Sequence, residues 1–256
     1  MTHAGDSRIQ LCGRLVVKLG VRRVDDDLPG ANGRLLFAYL VLNRARRMSR
    51  EDLLMAVYGE EATPDHHPRL SVLLSKLRRV VGPELVAGRS EIELVLPPGA
   101  FVDVEAALEA AHRAESHIAK GEWAEAWGPA GIAYHVANRP LLQGQARPWL
   151  EEWRRRLDDV RLRGLECFAA ARLGLGGSAL PQAEECARRL IELAPYRETG
   201  HQILLEALER RGNVAEALLA YDRLRVLLHE DLGIAPSPAM QVIHRRLVGG
   251  QAATPA

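Results

Sequence analysis

The spacing of hydrophobic residues changes once along the chain, near residue 100. Before that point, short runs of alternating apolar and polar residues flank three segments whose apolar residues recur at helical spacing. From Asp103 to Leu247, nearly every segment has the pattern of an amphipathic helix, and the breaks fall at glycines and prolines. The sequence therefore predicts a small mixed domain followed by an all-helical domain.

The N-terminal part contains the elements of a winged helix-turn-helix. Alternating runs predict short antiparallel strands, helical spacing predicts three helices, and a Gly-Arg-Ser turn predicts a final hairpin. Ser49 and Asp52 have the spacing of a capping box at the start of the second helix. The predicted elements are strands within Arg8 to Lys18 and Val21 to Val24, helices from Ala31 to Asn43, Ser49 to Tyr58 and Pro68 to Val81, and a hairpin from Leu85 to Leu96.

Alanines and leucines in the helical segment repeat with a period of 34 residues, which is the tetratricopeptide period. The matched positions are Ala183, Cys186, Leu190 and Leu193 with Ala217, Ala220, Leu224 and Leu227. We therefore expect a mainly α fold with small β content, in which an N-terminal winged helix precedes an all-α tetratricopeptide-like domain. The predicted boundaries are 8–102 and 103–248, with disordered tails at 1–7 and 249–256.

The third predicted helix has two unlike faces. Leucines and one valine form a stripe that is expected to face the core: Leu70, Leu73, Leu74, Leu77 and Val81. The opposite face and its flanks are basic and polar, and consist of Arg69, Ser71, Val72, Ser75, Lys76, Arg78 and Arg79. Such a face suits a helix in the major groove of DNA, where cations reach phosphates or guanine and a valine touches a thymine methyl group. Arg89, at the tip of the hairpin, joins this predicted site.

The charge balance adds a limit to this interpretation. The chain has 34 Lys+Arg and 33 Asp+Glu, which excludes a uniformly basic nucleic-acid coat, so any attraction for DNA must be local. Residues 1–102 carry 15 basic and 12 acidic residues, whereas residues 103–256 carry 19 and 21. No apolar run approaches the length of a membrane span and no signal peptide precedes the first strand, so a cytoplasmic protein without membrane contact is expected.

Patterns for catalysis or metal binding are weak. Three isolated cysteines provide neither a disulfide framework nor a zinc site. His66 and His67 are adjacent and diverge, and the glycines of LGLGGS at 173–178 join two helices rather than a strand and a helix. No phosphate-binding loop or nucleophile elbow occurs. Four tryptophans at helical spacing favour core packing over an aromatic ligand cage. We therefore predict no enzyme activity, no cofactor and no metal.

The chain resembles the Streptomyces antibiotic regulatory proteins, which join an OmpR-type winged helix to a bacterial transcriptional activation domain. The resemblance covers roughly residues 8–248. It is carried by GRLLFAYLVLN at 33–43, EDLLMAVYGEE at 51–61, RLSVLLSKLRRVVG at 69–82 and LGIAPSPAMQ at 232–241. The chain departs from that pattern in the second strand of the wing, where EIELVLPPGA lacks the usual Gly-Tyr, and near Arg34, where a longer basic patch is reduced.

The resemblance implies a sequence-specific transcriptional activator that controls a secondary-metabolite or similar gene cluster. It implies that Arg69, Ser71, Val72, Ser75, Lys76 and Arg78 face DNA and that Arg89 lies on the wing. It also implies binding to direct repeats in promoters as a head-to-tail homodimer, and recruitment of RNA polymerase through its sigma or α subunit. Alternatively, the helical domain only stabilises the dimer.

A second hypothesis assigns the whole chain to protein interaction. In that case the helical domain recognises a partner, and the winged helix is a degenerate module without useful DNA affinity. The basic face of the third helix argues for DNA binding, because a degenerate module has no reason to keep several cations opposite a leucine stripe.

Overall fold

The computed structural model describes residues 7–251 and contains two compact units. The first unit runs from the first described residue to Ala106 and also includes Val136–Asp158, called here the return segment. The second unit comprises Ala107–His135 and the chain from Asp159 onward. The sequence predicted one boundary, between residues 102 and 103, because no local pattern links residues 136–158 to the first hundred residues.

The elements of the first unit follow the predicted order. Its strands are β1 (Arg8–Gln10), β2 (Val16–Leu19), β3 (Arg22–Arg23), β4 (Met48–Ser49), β5 (Val86–Ala87), β6 (Glu91–Leu94) and β7 (Phe101–Val102). Its central helices are α1 (Gly30–Leu42), α2 (Arg50–Tyr58) and α3 (His66–Val81). The helix α3 starts two residues before the predicted Pro68, since a proline in the first helical turn removes no N–H that the helix would use.

Two small sheets frame these helices. In the first, with strand order β3-β2-β1-β7, Ile9 of β1 pairs with Val17 of the antiparallel β2 and with Val102 of the parallel β7. In the second, β6 lies between β4 and β5, so that the predicted hairpin is extended by a strand that directly precedes α2. The capping box of α2 is present as predicted: the Ser49 hydroxyl accepts from the Asp52 N–H, and the Asp52 carboxylate accepts from the Ser49 N–H, each at 3.0 Å.

Three helices contain residues of both units, and four lie wholly in the second. The former are α4 (Asp103–Ala119), α5 (Trp123–Ala137) and α6 (Pro148–Leu175), and the latter are α7 (Leu180–Leu193), α8 (Glu198–Arg210), α9 (Val214–Leu232) and α10 (Pro238–Gln251). Within the second unit α8 packs against α7 and α9, and α10 packs against α8 and α9. Ala183 and Leu190, and their counterparts Ala217 and Leu224 34 residues later, are all buried. Small alanines let neighbouring helices approach closely, as in helical repeats.

Asp103 is the first residue of α4, and its buried carboxylate has partners outside that helix. The carboxylate accepts the backbone N–H groups of Leu11 at 2.9 Å and Cys12 at 3.0 Å, in addition to that of Val104 at 2.9 Å. Burial raises the pKa of this carboxyl, although the three donors favour its charged form. Asp103 therefore joins the start of α4 to the chain that follows β1.

The predicted tails lie mostly outside the described residues. Residues 1–6 and 252–256 fall there. Ser7, assigned to the N-terminal tail, is buried: its hydroxyl accepts from the Gly20 N–H at 3.1 Å, and its carbonyl accepts from the Phe101 N–H at 2.9 Å. Residues 249–251 continue α10. Within 7–251, no helix is long and apolar enough to cross a membrane.

Candidate nucleic-acid interface

The leucine stripe of α3 is buried, as the sequence predicted. Leu70, Leu74 and Leu77 are at most 1% exposed, and Leu73 and Val81 are nearly as well covered. The stripe faces the region where α3 packs against α1 and α2. The opposite side of α3 is therefore fixed toward solvent.

The exposed side of α3 contains most of the predicted contact residues. Arg69, Ser71, Val72, Ser75, Lys76 and Arg79 are all exposed. Val72 keeps 54% of its surface accessible. Four of these residues line an open groove of about 740 Å³ whose other side includes Pro29 and Tyr58: Arg69, Val72, Lys76 and Arg79.

Arg78 differs from the other cations of the helix. It is half-buried, and its guanidinium donates from Nε to the Val86 carbonyl at 2.9 Å and from Nη2 to the Gly88 carbonyl at 2.5 Å. Both carbonyls belong to the β5 side of the hairpin. Arg78 was predicted to face DNA. Its guanidinium is instead bound to the carbonyls of the wing, so less of its charge is directed toward solvent.

The hairpin turn depends on a glycine. Gly88 has a φ of +88°, and a Cβ added there would lie 1.8 Å from the Glu91 carbonyl oxygen. Only glycine accepts both the left-handed backbone and this close approach. Arg89 follows it at the turn and is exposed, as predicted for a residue at the tip of the wing.

Arg50 was missed by the sequence analysis and connects the parts of the site. From the first position of α2, its Nη2 donates to the Ser71 hydroxyl at 2.5 Å, and its Nη1 donates to the Arg89 carbonyl at 3.4 Å. The Ser71 hydroxyl in turn donates to the His67 carbonyl at 3.0 Å. The only sequence signal for Arg50 was its position directly after the capping residue of α2.

The cations of the first unit differ in whether a carboxylate neutralises them. Several arginines outside α3 are ion-paired: Arg23 with Asp25 at 2.8 Å, Arg44 with Glu105 at 2.6 Å, and Arg47 with Glu93 at 3.0 Å. In contrast, none of Arg69, Lys76, Arg79 and Arg89 has a carboxylate within 4.0 Å among the described residues. These four cations are free to neutralise an external anion.

The remaining candidate groups form no chemical site. Burial raises the pKa of both Cys12 and Cys167 to about 12, so both remain neutral thiols. Within residues 7–251, no three His, Cys, Asp or Glu side chains are grouped as metal ligands.

The four tryptophans were predicted to pack in the core. Trp149 and Trp153 lie in the first unit and Trp123 and Trp127 in the second. Trp127 is 51% exposed, so the prediction of core packing is wrong for that tryptophan.

A family model described as the bacterial transcriptional activator domain matches residues 102–248, which is more than half of the chain. This chain belongs to that family. The regulatory protein AfsR of Streptomyces coelicolor is 31% identical over 217 residues, which cover 84% of this chain and 22% of AfsR. The transcriptional regulatory protein MoaR1 of Mycobacterium tuberculosis is 25% identical over an alignment of 261 positions, which covers 96% of this chain and 81% of MoaR1.

The structure of Mycobacterium tuberculosis EmbR in complex with a low affinity phosphopeptide has the same fold. Its TM-score is 0.82 at 21% identity, over 95% of this chain and 65% of that one. The predicted fold class and the predicted resemblance to the Streptomyces antibiotic regulatory proteins are therefore confirmed. These relatives are named regulatory proteins, in agreement with the prediction that the chain is not an enzyme. The chain spans about a fifth of the length of the AfsR proteins that it matches.

Proposed function

We propose that this chain is a sequence-specific DNA-binding transcriptional activator. It binds direct repeats in promoters as a head-to-tail homodimer and recruits RNA polymerase through the sigma or α subunit. A secondary-metabolite or similar gene cluster is the proposed target. The names of the matched relatives support regulation of transcription.

One observation carries the DNA-binding part of this proposal. The exposed side of α3 presents Arg69, Lys76 and Arg79 without a carboxylate partner among the described residues, whereas Arg44 and Arg47 of the same unit are ion-paired. Unpaired cations along one helix are the electrostatic footprint of a nucleic-acid-binding surface. The buried leucine stripe fixes the direction in which these cations point.

The side chains on this face divide into two chemical classes. Arg69, Lys76 and Arg79 supply charges for phosphates or for the acceptor edge of guanine. Val72 and Ser75 are small enough to lie against base edges. There Val72 can contact a thymine methyl group, and Ser75 can form a hydrogen bond with any of several bases. Arg89 on the wing is placed for a phosphate contact outside the groove that α3 reads. Ser71 is less available, because its hydroxyl already binds Arg50 and the His67 carbonyl.

The partner of the second unit is proposed on different grounds. A winged helix alone is sufficient to block a promoter. An additional helical unit of this size therefore suggests a surface that binds another protein. The match of residues 102–248 to the bacterial transcriptional activator domain supports RNA polymerase as that partner. Stabilising the dimer is the competing role.

The decisive experiment is to select and sequence the DNA fragments bound by the purified full chain. A recurring motif in direct orientation, with affinity that falls steeply as salt increases, is expected because several phosphates are neutralised. The double variant Lys76→Ala/Arg79→Ala should lose both the selection and most of the salt dependence. A control double variant, Arg223→Ala/Arg225→Ala on the exposed surface of α9, removes the same charge and should keep both properties.

The outcomes separate the two function hypotheses. If the wild-type chain selects no motif and its weak binding matches that of the Lys76→Ala/Arg79→Ala variant, DNA is not its ligand. The interaction scaffold with a degenerate winged helix then becomes the better account.

A further inference from the structure

The C-terminal end of α2 needs hydrogen-bond donors that its own backbone does not supply. The last four carbonyls of a helix lack intrahelical partners. The N–H of Gly59 donates to the Met55 carbonyl, but Gly59 then turns away with φ +70° and ψ −153°, outside the left-handed conformation that usually completes a helix cap. The carbonyls of Ala56 and Val57 are therefore left for other donors.

Two side chains of the return segment supply those donors. Arg147 donates to the Val57 carbonyl from Nε at 3.0 Å and from Nη2 at 2.8 Å. Trp149 donates from its indole Nε1 to the Ala56 carbonyl at 3.0 Å. A cation at this position also opposes the negative end of the helix dipole. The end of α2 is thus capped by residues about ninety positions further along the chain.

A backbone hydrogen bond joins the return segment to the chain after β1, because the Leu142 N–H donates to the Leu11 carbonyl at 3.2 Å. Nη2 of Arg154 donates to the carbonyls of Leu141, Leu142 and Gln145, at 3.1, 3.3 and 2.8 Å. Leu142 has a φ of +42°, a conformation that a leucine keeps only when its surroundings fix it. The ring of Trp149 also meets Tyr39 of α1 edge-on, with centroids 5.2 Å apart. Arg147 and Trp149 therefore act from a fixed support.

The opposite end of α2 contacts the proposed DNA-binding residues. Arg50, at the first position of α2, binds the Ser71 hydroxyl on α3 and the Arg89 carbonyl on the wing. The helix has only nine residues, and its inward side contains four buried side chains: Leu53, Leu54, Ala56 and Val57. A shift at its C-terminal end is therefore transmitted to the end where Arg50 lies, since a short packed helix moves as one body.

We propose that Arg147 and Trp149 are positioning residues for DNA recognition. They hold the end of α2 and thereby keep α3 and the wing in the arrangement that binds DNA, without contacting DNA themselves. The DNA-binding unit then extends beyond the predicted boundary at residue 102 to the first turns of α6. This inference rests on the proposed DNA-binding function. Its affinity measurement requires that function, whereas its hydrogen-exchange measurement does not.

The test uses the full chain with the variants Arg147→Ala and Trp149→Phe. The second variant removes the indole donor together with one ring of the side chain, and keeps an aromatic ring against Tyr39. We expect affinity for the selected DNA to fall about tenfold for Arg147→Ala and about threefold for Trp149→Phe, because charged hydrogen bonds contribute more than neutral ones. Arg147→Lys, which keeps the charge but not the fork, should recover part of the loss.

A second measurement distinguishes positioning from a phosphate contact and from general destabilisation. The salt dependence of binding should be unchanged in both variants, since neither residue neutralises a phosphate. Amide hydrogen exchange, measured well below the unfolding temperature, should accelerate in α3 and in the β5–β6 hairpin but not in α10. Arg155→Ala, which removes an exposed arginine of α6, is the matched control for loss of charge and should leave all three measurements unchanged.

Two results would overturn the inference. One is faster exchange confined to the last turn of α2 with normal DNA affinity, which would make Arg147 and Trp149 a local cap. The other is a reduced salt slope in Arg147→Ala, which would make Arg147 a DNA contact. If the wild-type chain binds no DNA, the proposed function fails, whereas the exchange pattern still decides whether these residues position α3 and the wing.

Discussion

The guanidinium of Arg78 lies on the carbonyl of Gly88, with Nη2 and the oxygen 2.5 Å apart. An arginine of α3 is thereby joined to the turn of the wing. Lys76, two residues earlier on α3, is exposed and forms no ion pair among the described residues. The two cations therefore differ in what they do, although the sequence analysis assigned both to the basic face of α3 and its flanks.

Replacing these two residues should separate stability from DNA affinity. Arg78→Ala leaves two hairpin carbonyls without their donor and should lower the free energy of unfolding by about 1–3 kcal/mol. Lys76→Ala should leave the unfolding free energy within about 0.5 kcal/mol of wild type. Urea unfolding of both variants measures this difference.

DNA binding should show the complementary pattern. If Lys76 contacts a phosphate, Lys76→Ala weakens binding to all sequences alike and reduces the salt slope by about 1. If it contacts a base, the loss is about 1–3 kcal/mol and selectivity relaxes at one position of the site. Wild-type affinity and selectivity in Lys76→Ala would remove this residue from the interface.

Leu74 should act through stability. Its side chain is 1% exposed within the leucine stripe, so Leu74→Ala removes buried methyl groups and leaves a cavity. We expect a loss of about 2–5 kcal/mol of unfolding free energy, measured by thermal or urea unfolding. Val72→Ala, on the exposed side of the same helix, is the control and should unfold as wild type does; equal stability of both variants would place the core elsewhere.

Acid should reduce the contribution of Asp25 to the free energy of unfolding. The Arg23 guanidinium donates to this buried carboxylate at 2.8 and 3.0 Å and holds its pKa below the usual range. The stabilisation is full above the pKa of the unfolded chain, about 3.9, and is lost as the pH falls through the lower pKa of the folded state. The difference in unfolding free energy between wild type and Asp25→Asn should therefore shrink as the pH falls from about 5 to about 2. A difference that stays constant over this range would show that Asp25 does not act through its charge.

The spacing of binding sites should follow the helical repeat of DNA. Two copies bound head to tail enter the major groove from the same side when direct repeats lie roughly 10–11 base pairs apart. Inserting about five base pairs rotates one copy to the far side and should abolish cooperative binding in a mobility-shift titration. Cooperativity that survives this insertion would contradict the direct-repeat arrangement.

Local patterns predicted much of the first unit. The capping box at Ser49 and the leucine stripe of α3 each depend on residues three or four positions apart, and both are present in the structure. Arg50, Arg147 and Trp149 could not be found in this way, because their partners lie between 21 and 93 positions away. Arg78 could not be distinguished from Lys76, since an arginine at the edge of a helix face has the same pattern whether it reaches DNA or a neighbouring carbonyl.

The path of the chain has a consequence for how the protein can be divided. Because the chain passes from one unit to the other at residues 106/107, 135/136 and 158/159, neither unit is a continuous stretch of sequence. A single protease cut in the turn at Gly121 would separate the segment up to Ala106 from the return segment in the backbone. The first unit would then be a complex of two polypeptides, held together by contacts such as those of Arg147 and Trp149 with α2. A graft that exchanges DNA specificity between relatives must therefore transfer both pieces.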